Sequence, residues 1–324
     1  MAAATSCAGM RRGNARMHRA PAPPFGWKGI LAAIVLVANG TGISHAATTV
    51  QLPNWVCAHP DAVFVDGFQP AQAITRLPSS GTGGSYPGSL SRDVIVPGMG
   101  TRTYHLRIPP AYAPDRPLPL VFALHGQAGS PAAAATAAQS VRTTWSSIAD
   151  SGQFIVVAPV ASGSGGSWIV PPPGPSDYDT FAAVIADVEA AYNIDRSRRI
   201  GWGFSAGGHV MHDLILNDYS AQVTIDTFAA YAVSAGVLAG LTCNSTASCN
   251  AAVGGASRHI PLDIHIGSTD PLLAQASSDR ARFLNFGWNE NTSLWYTQFS
   301  GGHVYSATHF AEIWTHLCPF QVLP

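Results

Sequence analysis

From Asp93 onward the chain alternates short apolar runs with longer amphipathic stretches. Arg102–Ile108 alternates polar and apolar residues and stops at Pro109-Pro110, which predicts a strand. Leu118–Leu124 is an unbroken apolar run and predicts a central strand buried on both faces. Phe154–Ala158, Phe228–Val233, Leu262–Ile266 and Leu294–Phe299 are further strand segments. Between them, Pro131–Ile148 and Thr180–Tyr192 carry helical periodicity, as does Phe310–Leu317 at the end. Strands alternating with helices predict an α/β protein: one domain over residues 96–324, a mostly parallel central sheet, and helices on both faces. Residues 47–95 hold the turn-rich stretch Leu77–Gly88 and are expected to be an irregular segment packed on the core.

The first 46 residues have a different pattern. Five basic residues (Arg11, Arg12, Arg16, Arg19, Lys28) precede the apolar run Ile30–Ala38, and Ser44-His45-Ala46 stands before Ala47. This is the arrangement of a secretory signal over residues 1–46, with Met10 and Met17 as alternative starts. The apolar run is shorter than the ~20 residues that span a bilayer, so no membrane insertion is expected after cleavage. A secreted or periplasmic location follows as the expectation.

Export changes the charge balance. The whole chain of 324 residues has 17 Lys+Arg and 18 Asp+Glu. Without residues 1–46, twelve basic residues, all arginine, face eighteen acidic ones, about −6 overall. With no basic stripe, nucleic acid is not an expected partner. Four cysteines remain, Cys57, Cys243, Cys249 and Cys318, and they allow three connectivities. The short loop favours Cys243–Cys249, leaving Cys57–Cys318 to tie the N-terminal region to the last helix. The spacing matches no zinc site, and no metal or organic cofactor is expected. A monomer is expected.

The most specific chemistry lies in Gly203-Phe-Ser-Ala-Gly207, a G-x-S-x-G pattern centred on Ser205. With 32 glycines in the chain the pattern alone is weak. Its frame strengthens it: Arg198–Trp202 predicts a strand and His209 onward a helix, so Ser205 would sit at the apex of a strand–turn–helix elbow. A serine hydroxyl needs a histidine to take its proton, and that histidine needs a carboxylate to hold its tautomer. Gly267-Ser-Thr-Asp270 follows one predicted strand and Ser300-Gly-Gly-His303 another, which puts both side chains on loops at strand carboxyl ends. Ser205, Asp270 and His303 are therefore the expected nucleophile, acid and base.

Competing residues are read as structural. Asp263 and His265 share a strand face and are expected to pair with each other. His309 and His316 belong on or near the final helix, and His209 and His212 are expected to pack under the loops. For the oxyanion, the backbone N–H of Ala206 and that of Gln127, in the loop Leu124–Ser130, are the expected donors. His125 in the same loop is read as a structural hydrogen-bonding residue.

Taken together, Pro119–Gly126, Gly203–Gly208, Gly267–Pro271 and Gly301-Gly-His303 resemble the secreted α/β-hydrolase esterases grouped as polyhydroxybutyrate depolymerases and feruloyl esterases. The resemblance covers residues 96–320. It implies the α/β-hydrolase fold and hydrolysis of carboxylic esters, small or polymeric, of hydroxyalkanoate type or alternatively feruloyl or acetyl type. It departs from the group at Gln127-Ala128 and after His303. Trp168 and Tyr178, in and after the loop from Ala161, together with Trp202 and Tyr305, are the expected substrate contacts. Two rivals stand beside the esterase: a peptidase of the same fold, and a catalytically inactive hydrolase fold serving as a binding module.

Overall fold

The computed structural model of the chain describes residues 47–58, 75–79, 81–84, 87–171 and 174–324. The signal-peptide reading of residues 1–46 lies outside these. The main sheet has eight strands: β2 (Gly88–Val96), β3 (Gly100–Ile108), β4 (Leu118–Leu124), β5 (Ile155–Pro159), β6 (Ile194–Phe204), β7 (Ala230–Ser234), β8 (Leu262–Gly267) and β9 (Leu294–Phe299). Their spatial order is β2-β3-β5-β4-β6-β7-β8-β9. The first two pairings, β2 with β3 and β3 with β5, are antiparallel, and every pairing from β5 to β9 is parallel. The α/β architecture expected from the sequence is the one observed.

The central strands are apolar throughout because both faces are covered; all seven residues of β4 are buried. On one face lie α3 (Asp177–Ala191), α4 (Ala206–Leu216) and α6 (Leu273–Asn285), packing Phe181, Val210, Met211 and Phe283 against Phe122, Tyr231 and Ile264. On the other lie α2 (Pro131–Gly152) and α7 (Ala307–Leu317), which bring Trp145, Phe310 and Ile313 against Val121, Val156 and Trp202. Local signals set the helix starts. Ser130 caps α2 by accepting from the Ala133 N–H, with Pro131 in the first turn, and Ser176 with Asp179 forms a capping box on α3.

The expectation of an irregular segment over residues 47–95 needs correction. Strand β1 (Thr48–Gln51) pairs antiparallel with β10 (Phe320–Leu323) in a separate two-stranded sheet. Strand β2 is an edge strand with one face in solvent, so its serines and charged residues break the apolar run while Val94 and Val96 still reach the core. Its Arg92 bridges to Asp187 on α3 at 2.8 Å. The short helices α1 (Trp55–Ala58) and α5 (Thr246–Gly254) and the longer α6 also went unread in the sequence. Both expected disulfides are present, Cys57–Cys318 and Cys243–Cys249.

Candidate active site

Strand β6 ends at Phe204 and α4 begins at Ala206, so Ser205 alone makes the turn. Its backbone is at φ 51° and ψ −120°, a left-handed conformation that a residue with a Cβ adopts only at a cost. The close packing of the elbow sets the glycines. A Cβ at Gly207 would lie 2.4 Å from the Leu124 carbonyl oxygen and 2.6 Å from that of His125. The start of α4 therefore sits directly against the loop that leaves β4.

Three side chains from three strand ends meet here. His303 Nε2 lies 2.8 Å from Ser205 Oγ, and His303 Nδ1 lies 2.8 Å from Asp270 Oδ2. Since a carboxylate only accepts, the Nδ1–H donates to Asp270, which leaves Nε2 to accept the Ser205 hydroxyl. The buried Asp270 also accepts the Leu272 N–H at 2.8 Å through Oδ1, so both of its oxygens are held. The acid and histidine loops are joined to each other. Gly301 O accepts from Thr269 N–H and from Thr269 Oγ1, each at 2.9 Å, and Gly267 has no room for a Cβ, which would stand 2.2 Å from Gly302 O. The ring of His303 rests against Phe204, centroids 5.0 Å apart, with its outer edge exposed to solvent.

Ala206 N–H opens a helix and has no intrahelical acceptor. Across from it runs the loop after β4, where a Cβ on Gly126 would lie 3.1 Å from the Cβ of Ser205. Gln127 comes next. Among the described residues, neither the Gln127 N–H nor the Ala206 N–H meets a backbone carbonyl, whereas Ala128 N–H is taken by Gly166 O at 3.0 Å. His125 organises this loop: Nδ1–H donates to Gly126 O at 2.6 Å and Nε2 accepts Ala161 N–H at 3.1 Å. Burial lowers its pKa, in keeping with the neutral ring this pattern requires.

A cleft of about 340 Å³ opens beside Ala206, lined by Ser167, Trp168, Val170, His209, Val210 and the segment Ala239–Leu241. Trp168 is thus among the residues that line the cleft beside the elbow. Three other expected contacts do not line this cleft. Tyr178 lies in the core, stacked on Phe181, with its hydroxyl bonded to Asp213 at 2.5 Å. Trp202 is fully buried on the opposite face of the sheet, where its Nε1–H donates to Ser234 Oγ at 3.1 Å. Tyr305 packs against Trp202, Phe204 and Phe310.

His209, expected to pack under the loops, lines the cleft instead. Its place four residues after Ser205 was the available signal, since that spacing repeats a helix face. His212 is the one that packs, fully buried beside Tyr231 and Phe283. Asp263 and His265 are 3.2 Å apart in β8, and His316 of α7 lies 2.8 Å from the same carboxylate. They are structural, as expected. A second cleft, of about 370 Å³, is lined by Arg196 and Arg199 in the first half of β6, away from Ser205.

This architecture is the α/β-hydrolase fold, with a serine elbow, acid and histidine at the ends of β6, β8 and β9. No protein-family model matches the chain. A solved feruloyl esterase module of Clostridium thermocellum, complexed with sinapinate, is similar to it in fold: 16% identity over 76% of this chain and 95% of that one, TM-score 0.54. A ferulic acid esterase superposes at TM-score 0.53, with 17% identity over 71% and 96% of the two chains. A fluorophosphonate-binding serine hydrolase of Staphylococcus aureus gives a TM-score of 0.51 at 15% identity, over 71% and 96%. In sequence, 107 residues are 33% identical to a bifunctional acetylxylan esterase/xylanase of Neocallimastix patriciarum. That match spans 33% of this chain and 15% of the relative's length.

Proposed function

We propose that the protein is an exported serine esterase that cleaves carboxylic esters through an acyl-enzyme. The observation that carries this reading is the unbroken line from Asp270 through His303 to Ser205, with both links at 2.8 Å. His303 Nε2 takes the hydroxyl proton as Ser205 Oγ attacks the ester carbonyl, and Asp270 stabilises the imidazolium that results. The carbonyl oxygen becomes an oxyanion facing the N–H groups of Ala206 and Gln127; each such donor contributes roughly 3–4 kcal/mol in known cases. His303 then protonates the departing alcohol. Its solvent-exposed edge admits a water, which it deprotonates to release the acid and restore Ser205. The two disulfides suit an oxidising compartment and support export.

The likeness to acetylxylan and feruloyl esterases favours acyl esters of plant polysaccharides over poly-3-hydroxybutyrate as the substrate class. A hydrolysis panel of p-nitrophenyl acetate, methyl ferulate, acetylated xylan and amorphous polyhydroxybutyrate tests this. Turnover of the first two, lost in Ser205→Ala, is the expected result. No turnover of any ester together with no fluorophosphonate adduct at Ser205 would leave the inactive binding module instead.

A further inference from the structure

The cleft beside Ala206 has a definite place in the reaction geometry. His303 stands toward the side of α7: its ring rests on Phe204, and Phe204 packs on Tyr305, which is stacked on Phe310 of α7. The cleft opens over the other face, among Trp168, Val210 and the loop after β7, which belong to the core of α3 and α4. Four groups surround the carbonyl carbon in the tetrahedral intermediate. Ser205 Oγ holds one position, the oxyanion turns to Ala206 N–H, and the leaving alkoxide must lie within reach of His303 Nε2–H. The acyl chain takes the fourth direction, away from His303 and toward the cleft.

The cleft wall is fixed on both sides. Asp177 is fully buried and accepts Ile169 N–H at 2.8 Å and Ser162 N–H at 3.2 Å, which sets the loop bearing Trp168 and Val170. Opposite, Leu238 N–H donates to Asp279 at 2.9 Å, and Gly240 N–H donates to the carbonyl of Cys243, itself in a disulfide. The lining is apolar at Trp168, Val170, Val210 and Leu241, with His209 the one imidazole. Burial, helped by His303 nearby, depresses the His209 pKa and keeps the ring neutral, with the Val237 and Ala239 carbonyls against it. A neutral imidazole carries one N–H, which these carbonyls can take, and one acceptor nitrogen that a hydroxyl in the cleft could use.

We propose that this cleft is the acyl subsite and that His209 selects acyl groups bearing a hydroxyl, accepting a hydrogen bond from it. This rests on the serine-esterase reading. At about 340 Å³ the cleft is near the lower limit of small-molecule sites (~300–1,000 Å³), a size that suits one compact acyl group.

The test compares kcat/KM for two matched pairs, methyl 4-hydroxycinnamate against methyl cinnamate and methyl 3-hydroxybutyrate against methyl butyrate. Active sites are counted with a fluorophosphonate, so that only correctly folded elbows contribute. The wild type should prefer one hydroxylated member by roughly tenfold, the value of one well-placed hydrogen bond, and His209→Leu should bring that ratio to about one. Whichever pair collapses tells a phenolic from an aliphatic hydroxyl. Leu241→Trp should lower the ratio of methyl 4-hydroxycinnamate to p-nitrophenyl acetate by at least about tenfold by filling the cleft. Val170→Phe fills it from the other wall if that variant does not label. A series of acetate esters with differing alcohols should keep its ranking in the filled variants. Ratios that stay fixed in every variant, or a changed alcohol ranking, overturn the proposal while leaving the esterase reading intact. A wild type that hydrolyses none of these esters removes the esterase reading itself.

Discussion

The indole N–H of Trp168 donates to the carbonyl of His125 at 2.9 Å, and the two rings meet at a tilt with centroids 4.7 Å apart. One side chain thereby joins the wall of the cleft to the loop carrying Gln127. Trp168→Phe keeps most of the ring and removes the donor, leaving a buried carbonyl short of one partner. Such a loss is worth about 1 kcal/mol, or roughly fivefold in rate if it loosens donors that act mainly in the transition state. We expect kcat for p-nitrophenyl acetate to fall about fivefold with KM nearly constant. A raised KM at unchanged kcat would make Trp168 a binding residue alone.

The link from Asp270 to His303 gives a second expectation. Asp270→Asn can still hold the ring, but the amide presents a donor to Nδ1 and stabilises the wrong tautomer; the equivalent change in a serine protease lowers kcat by on the order of 10⁴. Esterase activity should fall by a similar factor, and the unfolding midpoint should move by only a few degrees. Loss of fold in the same variant would mean that Asp270 mainly secures its own loop through Leu272.

The packing of Gly207 against Leu124 makes the elbow intolerant of one methyl group. The three nearest atoms a new Cβ would meet are all backbone, two carbonyl oxygens and the Leu124 carbonyl carbon, so no rotamer can relieve the contact. Overpacking of this kind costs about 1–3 kcal/mol, and it would displace the Ala206 N–H as well. Gly207→Ala should label slowly with a fluorophosphonate and melt roughly 5–10 °C lower. Gly165→Ala is the control, because a Cβ there meets nothing within 4 Å. Equal behaviour of the two would contradict the close approach.

Legibility in the sequence followed burial. Strands β4 and β9 have the predicted limits, Leu118–Leu124 and Leu294–Phe299: the first is an apolar run covered on both faces, and the second lies between turn-forming segments. The Ser205, Asp270 and His303 positions could be read because each follows such a strand. The substrate contacts were less accessible, since an aromatic residue does not announce which side of the sheet it takes. Trp202 lies between Gly201 and Gly203, and its alternation with Ile200 and Phe204 sends it to the α2–α7 face, away from the cleft. Tyr178 is the second residue of α3, and Asp213, 35 residues on, draws its hydroxyl inward. That partner is invisible to local pattern.

The two disulfides should differ in what they protect. Cys57–Cys318 closes a separation of 261 residues and Cys243–Cys249 one of six. Chain-entropy arguments give about 5 kcal/mol for the long loop and about 2 kcal/mol for the short one. Replacing Cys57 and Cys318 by serine should therefore cost more in thermal midpoint. Replacing Cys243 and Cys249 should act more on acyl selectivity, because Gly240 is bonded to Cys243 at the cleft wall. Thermal melts of both double variants, with the ester pairs above, check the division. The reverse pattern would detach the cleft wall from its disulfide.

His212 makes the fold sensitive to acid. Its ring is wholly buried on α4, and burial, with the neighbouring His209, pushes its pKa down to about 3. In the unfolded chain the same imidazole titrates near 6.5. Above that pH both states are neutral and His212 makes stability independent of pH. Below it the unfolded chain takes up a proton that the native state refuses. Stability from this residue is thus complete above about 6.5 and is lost as pH falls toward about 3, with a steepest slope of about 1.4 kcal/mol per pH unit. Buried carboxyl groups such as Asp213 and Asp279, whose pKa values burial raises, act in the opposite sense above pH 4, so the total curve mixes both. The difference between wild type and His212→Phe isolates the histidine. Phenylalanine keeps the stacking on Phe283 and has nothing to protonate, although it leaves the Tyr231 hydroxyl without the Nδ1 partner now 3.1 Å away. Urea titrations between pH 4 and 8 should show the variant's deficit constant above pH 7 and shrinking steadily below it, even reversing. A deficit that stays flat across the range would show that the His212 ring reaches water in the native state.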